Sequence, residues 1–457
     1  MKKIWLLIAA VAIVSCKNEA PIKYAVLTGK ITNKLPGEFT VNSMDRSFKE
    51  TIEIAEDGSF VDTLTLKEGT YMLYDGKNAT PVYLSEGFNV NVAYDANDFK
   101  NTLAFTGEGS EISNYLQAKS KTEKEIMGEG MGVYELEEDE YKAKFNEIKT
   151  ALNNLLTSTE GISEEFKSKE QRNINYGYLK SINIYERYHA HFAKKPEFKV
   201  SEGFLAELDG MDYSNEEDFL FSSDYKNLVS SHYFKQASKL AEKDSIDADL
   251  AFLKTAAQIQ GETIKNSLLF ENAKYGITYT ENLEEYYTAF INASTNEDNK
   301  KEITEAYNKL KVVAKGQPSP KFDNYENYAG GTTSLDDLKG KFVYVDVWAT
   351  WCGPCKAEIP YLKEVEAKYH GKNIEFVSIS IDKAADHDKW KTMVEEKELK
   401  GVQLFADSDW NSQFVQDYLI KGIPRFILID TEGNIVSSNA PRPSSPKLIS
   451  LFNELNI

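Results

Sequence analysis

Alternating apolar and polar positions dominate the first hundred residues. In "FNVNVAYD", Phe88, Val90, Val92 and Tyr94 alternate with Asn89, Asn91 and Ala93, the period of a strand with one buried face. "TIEIAEDGSFVDTLTL" holds two alternating runs parted by Asp57-Gly58, which predicts a hairpin. "YDGKN" and "KEG" add turn signals, so the segment from Tyr24 to Phe105 is predicted as a small β-sandwich-like domain. The period then changes. Tyr141, Phe145, Ile148, Leu152 and Leu155 fall on one face of a helix. Tyr178, Ile182, Tyr185, His189 and Phe192 continue that style, as do Ile303, Tyr307 and Leu310. These stripes predict an α-helical middle domain, with the acidic run Glu135 to Glu140 on a solvated face. In "KGQPSPKF", Gly316, Pro318 and Pro320 break the last helix. Strand and helix alternate from there: "KFVYVDVWA", "CKAEIPYLKEVEAKYH", "IEFVSISID", "HDKWKTMVEEKEL", "RFILID", "GNIVSS" and "SPKLISLFNEL". A parallel βαβ unit followed by a hairpin and a helix predicts an α/β layered domain. The predicted divisions are 1–15 (leader), 16–110 (β-rich), 111–314 (helical) and 315–457 (α/β).

Length and charge sharpen this picture. At 457 residues and 41% hydrophobic, the chain has material for two or three cores. A net charge of −19 argues against nucleic acid, or an anionic membrane face, as a partner. The N-terminus reads as an export signal. Lys2 and Lys3 precede an apolar run, Ile4 to Val14, that is shorter than the ~20 residues a spanning helix needs. Ser15 then precedes Cys16. "IVSC" resembles a bacterial lipobox, the alternative being an ordinary secretory signal with a chance cysteine. The resemblance implies cleavage before Cys16 and lipid attachment to it. The mature chain would then be lipid-anchored in the cell envelope, facing the periplasm. Lys17 in place of an aspartate favours the outer membrane over the inner.

With Cys16 assigned to the lipid anchor, the fold itself owns two cysteines, Cys352 and Cys355. A zinc clip needs further Cys or His ligands. None is near, because His370 and His387 are unpaired, and His189 and His191, two apart on a helix, point to nearly opposite sides. No metal is predicted. A purely structural bridge remains open, although closing so short a loop removes little unfolded-state entropy. A C-x-x-C beside a βαβ pattern reads as a redox motif. Cys352 is placed at a helix N-terminus, where free N–H groups and the helix dipole stabilise a thiolate. Gly353 permits the tight turn and Pro354 has its φ preset for a helical start. Cys352 is the expected nucleophile and Cys355 the resolving thiol.

"WATWCGPCKAEIP" resembles the thioredoxin superfamily, and within it the membrane-tethered, extracytoplasmic thiol–disulfide oxidoreductases of the TlpA/ResA type. The resemblance covers the last third of the chain and implies a thioredoxin fold there. It implies that Asp346 is the buried carboxylate that takes or gives the proton of the resolving thiol. It likewise implies that Pro360 kinks the active-site helix and that Glu358 is the acid the ResA-like branch holds near its cysteines. "KGIPRFILID" matches the cis-proline segment, here Ile423-Pro424, where the residue before the proline pairs with substrate backbone. Trp348 and Trp351 match the flanking aromatics, which either cover the site and its strand or contact substrate. Trp351, Gly353, Pro354, Ile423, Pro424 and Arg425 are thus the expected substrate-binding set. Two departures stand out. Ser378 occupies the place of a lysine that faces the buried acid in thioredoxin, so Asp346 should titrate above a free aspartate. Arg425 stands where thioredoxin has threonine, and is expected either to put a cation beside the substrate groove or to pair with Glu358.

The resemblance implies no cofactor beyond the redox-active Cys352–Cys355 disulfide. Gly-Pro between the cysteines, as in thioredoxin (about −270 mV), favours reduction of disulfides in exported proteins. Such a reductase also needs an upstream membrane thiol donor. A disulfide isomerase, a thiol peroxidase and a non-enzymatic client-binding lipoprotein are the alternatives.

Overall fold

The early alternation builds two sheets rather than a run of hairpins. The structure, a computed structural model, describes residues 23–44, 48–280 and 282–457. The predicted leader and Cys16 lie outside the described residues. The strands are β1 (Ala25–Thr32), β2 (Phe39–Ser43), β3 (Lys49–Ile52), β4 (Ser59–Leu64), β5 (Gly69–Tyr74), β6 (Ala79–Leu84) and β7 (Asn89–Asp95). The short α1 (Phe99–Thr102) leads into β8 (Ala104–Glu108). One sheet has the order β4-β1-β7-β8, with β1 and β7 parallel. The other is β3-β2-β5-β6. Leu27, Phe60, Val90 and Val92 of the first sheet share a core with Phe39, Val41, Leu73 and Val82 of the second. The predicted hairpin at Asp57-Gly58 is therefore corrected. The turn forms, with Gly58 N–H donating to the Ala55 carbonyl at 3.0 Å. But β3 pairs with β2 while β4 pairs with β1. Ile52 and Phe60 both enter the shared core, so the chain crosses from one sheet to the other at this turn. Gly58, at φ +83°, lies so close to the Ile31 carbonyl that a Cβ has no room.

Helices follow: α2 (Ser110–Met127), α3 (Glu138–Ser158), α4 (Glu164–Phe192), α5 (Glu216–Phe221) and α6 (Ser223–Asp244). The predicted stripe is buried at Tyr141, Phe145, Ile148 and Leu152, then passes from Leu155 to Leu156. It packs on Ile174, Tyr178, Ile182 and Tyr185 of α4 and on Ile112 and Tyr115 of α2. His189 is a core residue whose Nδ1 lies 3.0 Å from the Tyr134 carbonyl. Ser163 caps α4 by accepting from Phe166 N–H.

The chain divides into two units, one ending at 212 but including 217–228, the other formed by 213–216 and 229–457. The division passes through α6, so the helices predicted as one domain over 111–314 belong to two bodies. In the second unit, α7 (Ala248–Ala256), α8 (Glu262–Gly276), α9 (Leu283–Ala293) and α10 (Glu297–Lys311) bury Phe252, Leu253, Leu269, Tyr286, Phe290 and Ile303. The α/β part comprises β9 (Tyr325–Asn327), β10 (Thr332–Thr333), β11 (Phe342–Trp348), α11 (Gly353–Lys368), β12 (Ile374–Ser380) and α12 (His387–Glu396). It continues through β13 (Val402–Phe405), α13 (Gln413–Asp417), β14 (Arg425–Ile429), β15 (Ile435–Ser437) and α14 (Pro446–Glu454). The sheet order is β10-β9-β13-β12-β11-β14-β15. β11, β12 and β13 are parallel and β14 is antiparallel to β11. Tyr344, Leu362, Val365, Phe376, Phe426 and Phe452 form part of its core. β11 and β14 are buried throughout or nearly so, as central strands of a sheet covered on both faces must be. No described helix is long and apolar enough to cross a membrane.

Candidate active site

The site is built where β11 ends and α11 begins. Cys352 is the N-cap of α11 and Pro354 falls in its first turn, so the helix starts at the motif itself. Cys352 and Cys355 form a disulfide with Cα atoms 5.3 Å apart. The Cys352 sulfur accepts the Cys355 N–H at 3.1 Å, one of the donors a helix N-terminus leaves free. Both cysteines are 4% exposed, while Trp351 is 54% exposed and Gly353 and Pro354 are open to solvent. The accessible surface around the disulfide is thus made by its neighbours. Trp351 has the Trp410 ring at 6.4 Å.

Asp346 faces Ser378 across the β11–β12 register, as the aligned motifs predict. It is buried, and its Oδ1 has no hydrogen-bond partner. Burial first, and then the charges of Glu358 and Glu366, push its carboxyl up to about 8. Glu358 is buried on α11 and accepts from Ser444 N–H at 3.0 Å and Ser444 Oγ at 2.9 Å. It reaches Asp346 through its charge rather than through a bond. The Ile423-Pro424 peptide is cis, with Ile423 half-exposed and Pro424 buried. Among the described residues no group of three His, Cys, Asp or Glu could hold a metal ion.

Residues 314–449 match the family model described as Redoxin. The chain is 31% identical over 126 residues to the thiol-disulfide oxidoreductase ResA of Bacillus subtilis, covering 27% of this chain and 66% of that protein. It is 30% identical over 142 residues to the thioredoxin-like protein YneN of the same organism, covering 29% of this chain and 76% of that protein. The chain belongs to the thioredoxin superfamily, in its TlpA/ResA-type branch. Among solved structures, a Bacteroides vulgatus protein proposed to be a thiol-disulfide oxidoreductase is 54% identical, over 31% of this chain and 90% of that one, with a TM-score of 0.28. The chain spans 66% of the length of the ResA relative.

Within this ResA-type domain one expected residue lies elsewhere. Arg425 is 2% exposed and does not face a groove. Its guanidinium donates to the Thr278 carbonyl at 2.5 Å and to Thr278 Oγ1 at 2.9 Å, and lies 4.0 Å from the centre of the Tyr279 ring. It does not pair with Glu358, whose oxygens are taken by Ser444. The reason is that α8 ends beside the cis-proline segment. Tyr279 O accepts from Asn439, and a Cβ on Gly422 would sit 2.7 Å from the Tyr279 hydroxyl.

Three further residues belong to the site. Asp382, just past β12, accepts from Thr350 N–H (2.9 Å), Thr350 Oγ1 (2.7 Å) and Ser380 Oγ (2.8 Å), which fixes the loop leading to Cys352. Gln403 and Glu366 approach Asp346 from β13 and α11. Glu366 follows Leu362 by four on the inward face of α11, so a carboxyl on an apolar stripe was the available signal. Asp382 and Gln403 carry no such signal.

Proposed function

We propose that this chain is a thiol–disulfide reductase of the cell envelope, acting on disulfides of exported proteins through Cys352 and Cys355. The observation that carries this reading is a disulfide at the start of α11 whose outer sulfur already accepts a backbone N–H, with an unpartnered, protonatable Asp346 in the adjoining strand. In the reduced state the same N–H and the helix dipole favour a Cys352 thiolate. That thiolate attacks a client disulfide, and Cys355 resolves the mixed disulfide. The half-exposed Ile423 beside the cis proline offers backbone groups to a client strand, and Trp351 offers an apolar surface. The disulfide itself carries the two electrons, so no further cofactor is required, and an upstream membrane thiol donor restores the dithiol. The leader and Cys16 support a lipid anchor, facing the periplasm, in the outer rather than the inner membrane.

The decisive experiment is trapping. In cells, Cys355→Ser should accumulate a mixed disulfide through Cys352, and Cys352→Ser should trap nothing. Equilibration with glutathione or dithiothreitol buffers should give a potential near thioredoxin's, about −270 mV, rather than the ~−120 mV of the oxidase DsbA. A potential near the latter value reverses the direction of electron flow. Turnover of peroxide by the reduced chain would move it to the peroxidases.

A further inference from the structure

A small cavity adjoins Cys355. It measures ≈ 10 Å³ as space open to the centre of a water molecule. Its wall includes Cys355, Asp346, Ser378, Gln403, Glu366 and Lys400, from β11, α11, β12 and β13 with its preceding loop. Two acceptors in this wall, Asp346 Oδ1 and Gln403 Oε1, are buried without a partner among the protein atoms. A buried acceptor left unpaired is costly, so both oxygens call for a donor. A cavity of this size holds about one water, provided it meets two or more polar partners. Water has two O–H donors, one for each orphan oxygen, and Ser378 adds a hydroxyl that gives or takes a bond.

We propose that a single water here is the route by which Asp346 exchanges its proton with solvent, and that Glu366 is the carboxyl at the outer end of that route. The proposal rests on the reductase reading above. It assigns a part to Glu366, which sequence comparison with the thioredoxin motif does not single out. Glu366 is half-buried, where Asp346 is buried. Burial pushes its carboxyl up to about 7, Lys400 and Lys363 draw it back, and Glu375 adds to the rise. Asp346 is faced by Glu358 and Glu366, and Tyr344 on its own strand is held neutral with its O–H on the Pro441 carbonyl. Burial thus raises both carboxyls in the same direction, and the two line one cavity, so a proton has an acceptor at either end of it.

The chemistry balances. In the mixed disulfide Cys352 is bonded to a client sulfur. Cys355 gives its S–H proton to the Asp346 carboxylate, and its thiolate attacks the Cys352 sulfur. The Cys352–Cys355 bond forms, and the client sulfur leaves as a thiolate with the electron pair of the broken bond. Asp346 hands its proton to the water, the water hands one to Glu366, and Glu366 releases it to solvent. Glu366 acts through Asp346 and is thus a positioning residue for the proton.

The test uses the reduced full-length chain, a cystine-containing protein and stopped-flow tryptophan fluorescence, in dilute buffer from pH 6 to 9. Wild type should exchange and Cys352→Ser should not; a wild type without exchange overturns the underlying reading. Glu366→Gln should lower the plateau rate of resolution about tenfold. Added imidazole, a small diffusible proton carrier, should restore most of it. Gln403→Leu, which removes one anchor of the water without touching the cysteines, should show the same loss. A plateau unchanged in both variants, with or without a shifted midpoint, overturns the route and leaves Glu366 as a distant charge. Slowing that imidazole does not restore makes Glu366 structural and overturns the route equally.

Discussion

Two buried aspartates in the same domain have opposite surroundings. Asp382 is saturated: Thr350 and Ser380 give it three hydrogen bonds, two of them to one oxygen. Asp346, in the adjacent strand, keeps one oxygen with no donor at all, and two glutamates bear on it. Burial alone does not make a carboxyl reactive. Three donors make Asp382 a fastening; in Asp346 burial first, and then the charges of Glu358 and Glu366, hold the carboxyl protonated up to about 8, where it can carry a proton. The fastening holds the loop that presents Cys352, and the carrier stands next to Cys355.

The largest test of this contrast is Asp382→Ala. It leaves a buried N–H and two hydroxyls without their acceptor and should cost roughly 3–5 kcal/mol, measured as a lower urea midpoint for the second unit. An unchanged midpoint would break the comparison. Asp346→Asn should have the opposite sign. Its folded value of about 8 lies above the ordinary 3.8, so between those pH values the unfolded chain has released a proton that the folded chain keeps. Wild-type stability is therefore full below about pH 4 and declines as pH rises to 8. The variant should be more stable by roughly 2–4 kcal/mol at pH 8 and show no advantage at pH 4. It should also lose the rise in exchange rate near pH 8. Arg425→Lys replaces a two-pronged, stacked guanidinium by a single ammonium and should cost about 1–2 kcal/mol in unfolding, with the redox potential unchanged. Trp410→Ala, which removes only the ring beside Trp351, should cost about 0.5 kcal/mol by the same assay.

Much of this domain was legible because its signals are local. The C-x-x-C, Asp346 six residues earlier, and the cis Ile423-Pro424 bond all sit where short motifs put them. The resemblance to thioredoxin also pointed to Ser378 as the residue opposite Asp346. What escaped depends on contacts far apart in the chain. Arg425 meets Thr278, 147 residues away, and no periodicity announces that. Alternation in "TIEIAEDGSFVDTLTL" tells which side chains are buried but not which sheet each strand joins, so a sheet crossing resembled a hairpin. β13 has four residues, too few for its period to register, and it brings Gln403 to the cavity. The helical stripes gave the faces correctly, yet nothing in a stripe says that the bundle is split within α6.

Arg425 also bears on where this protein can be cut. A piece begun at Lys315, the boundary that "KGQPSPKF" advertises, would bare the Arg425 guanidinium, with neither the Thr278 oxygens nor the Tyr279 ring to cover it. One buried guanidinium thus fastens the redox head to the turn that follows α8, and a cut at the advertised boundary unties it.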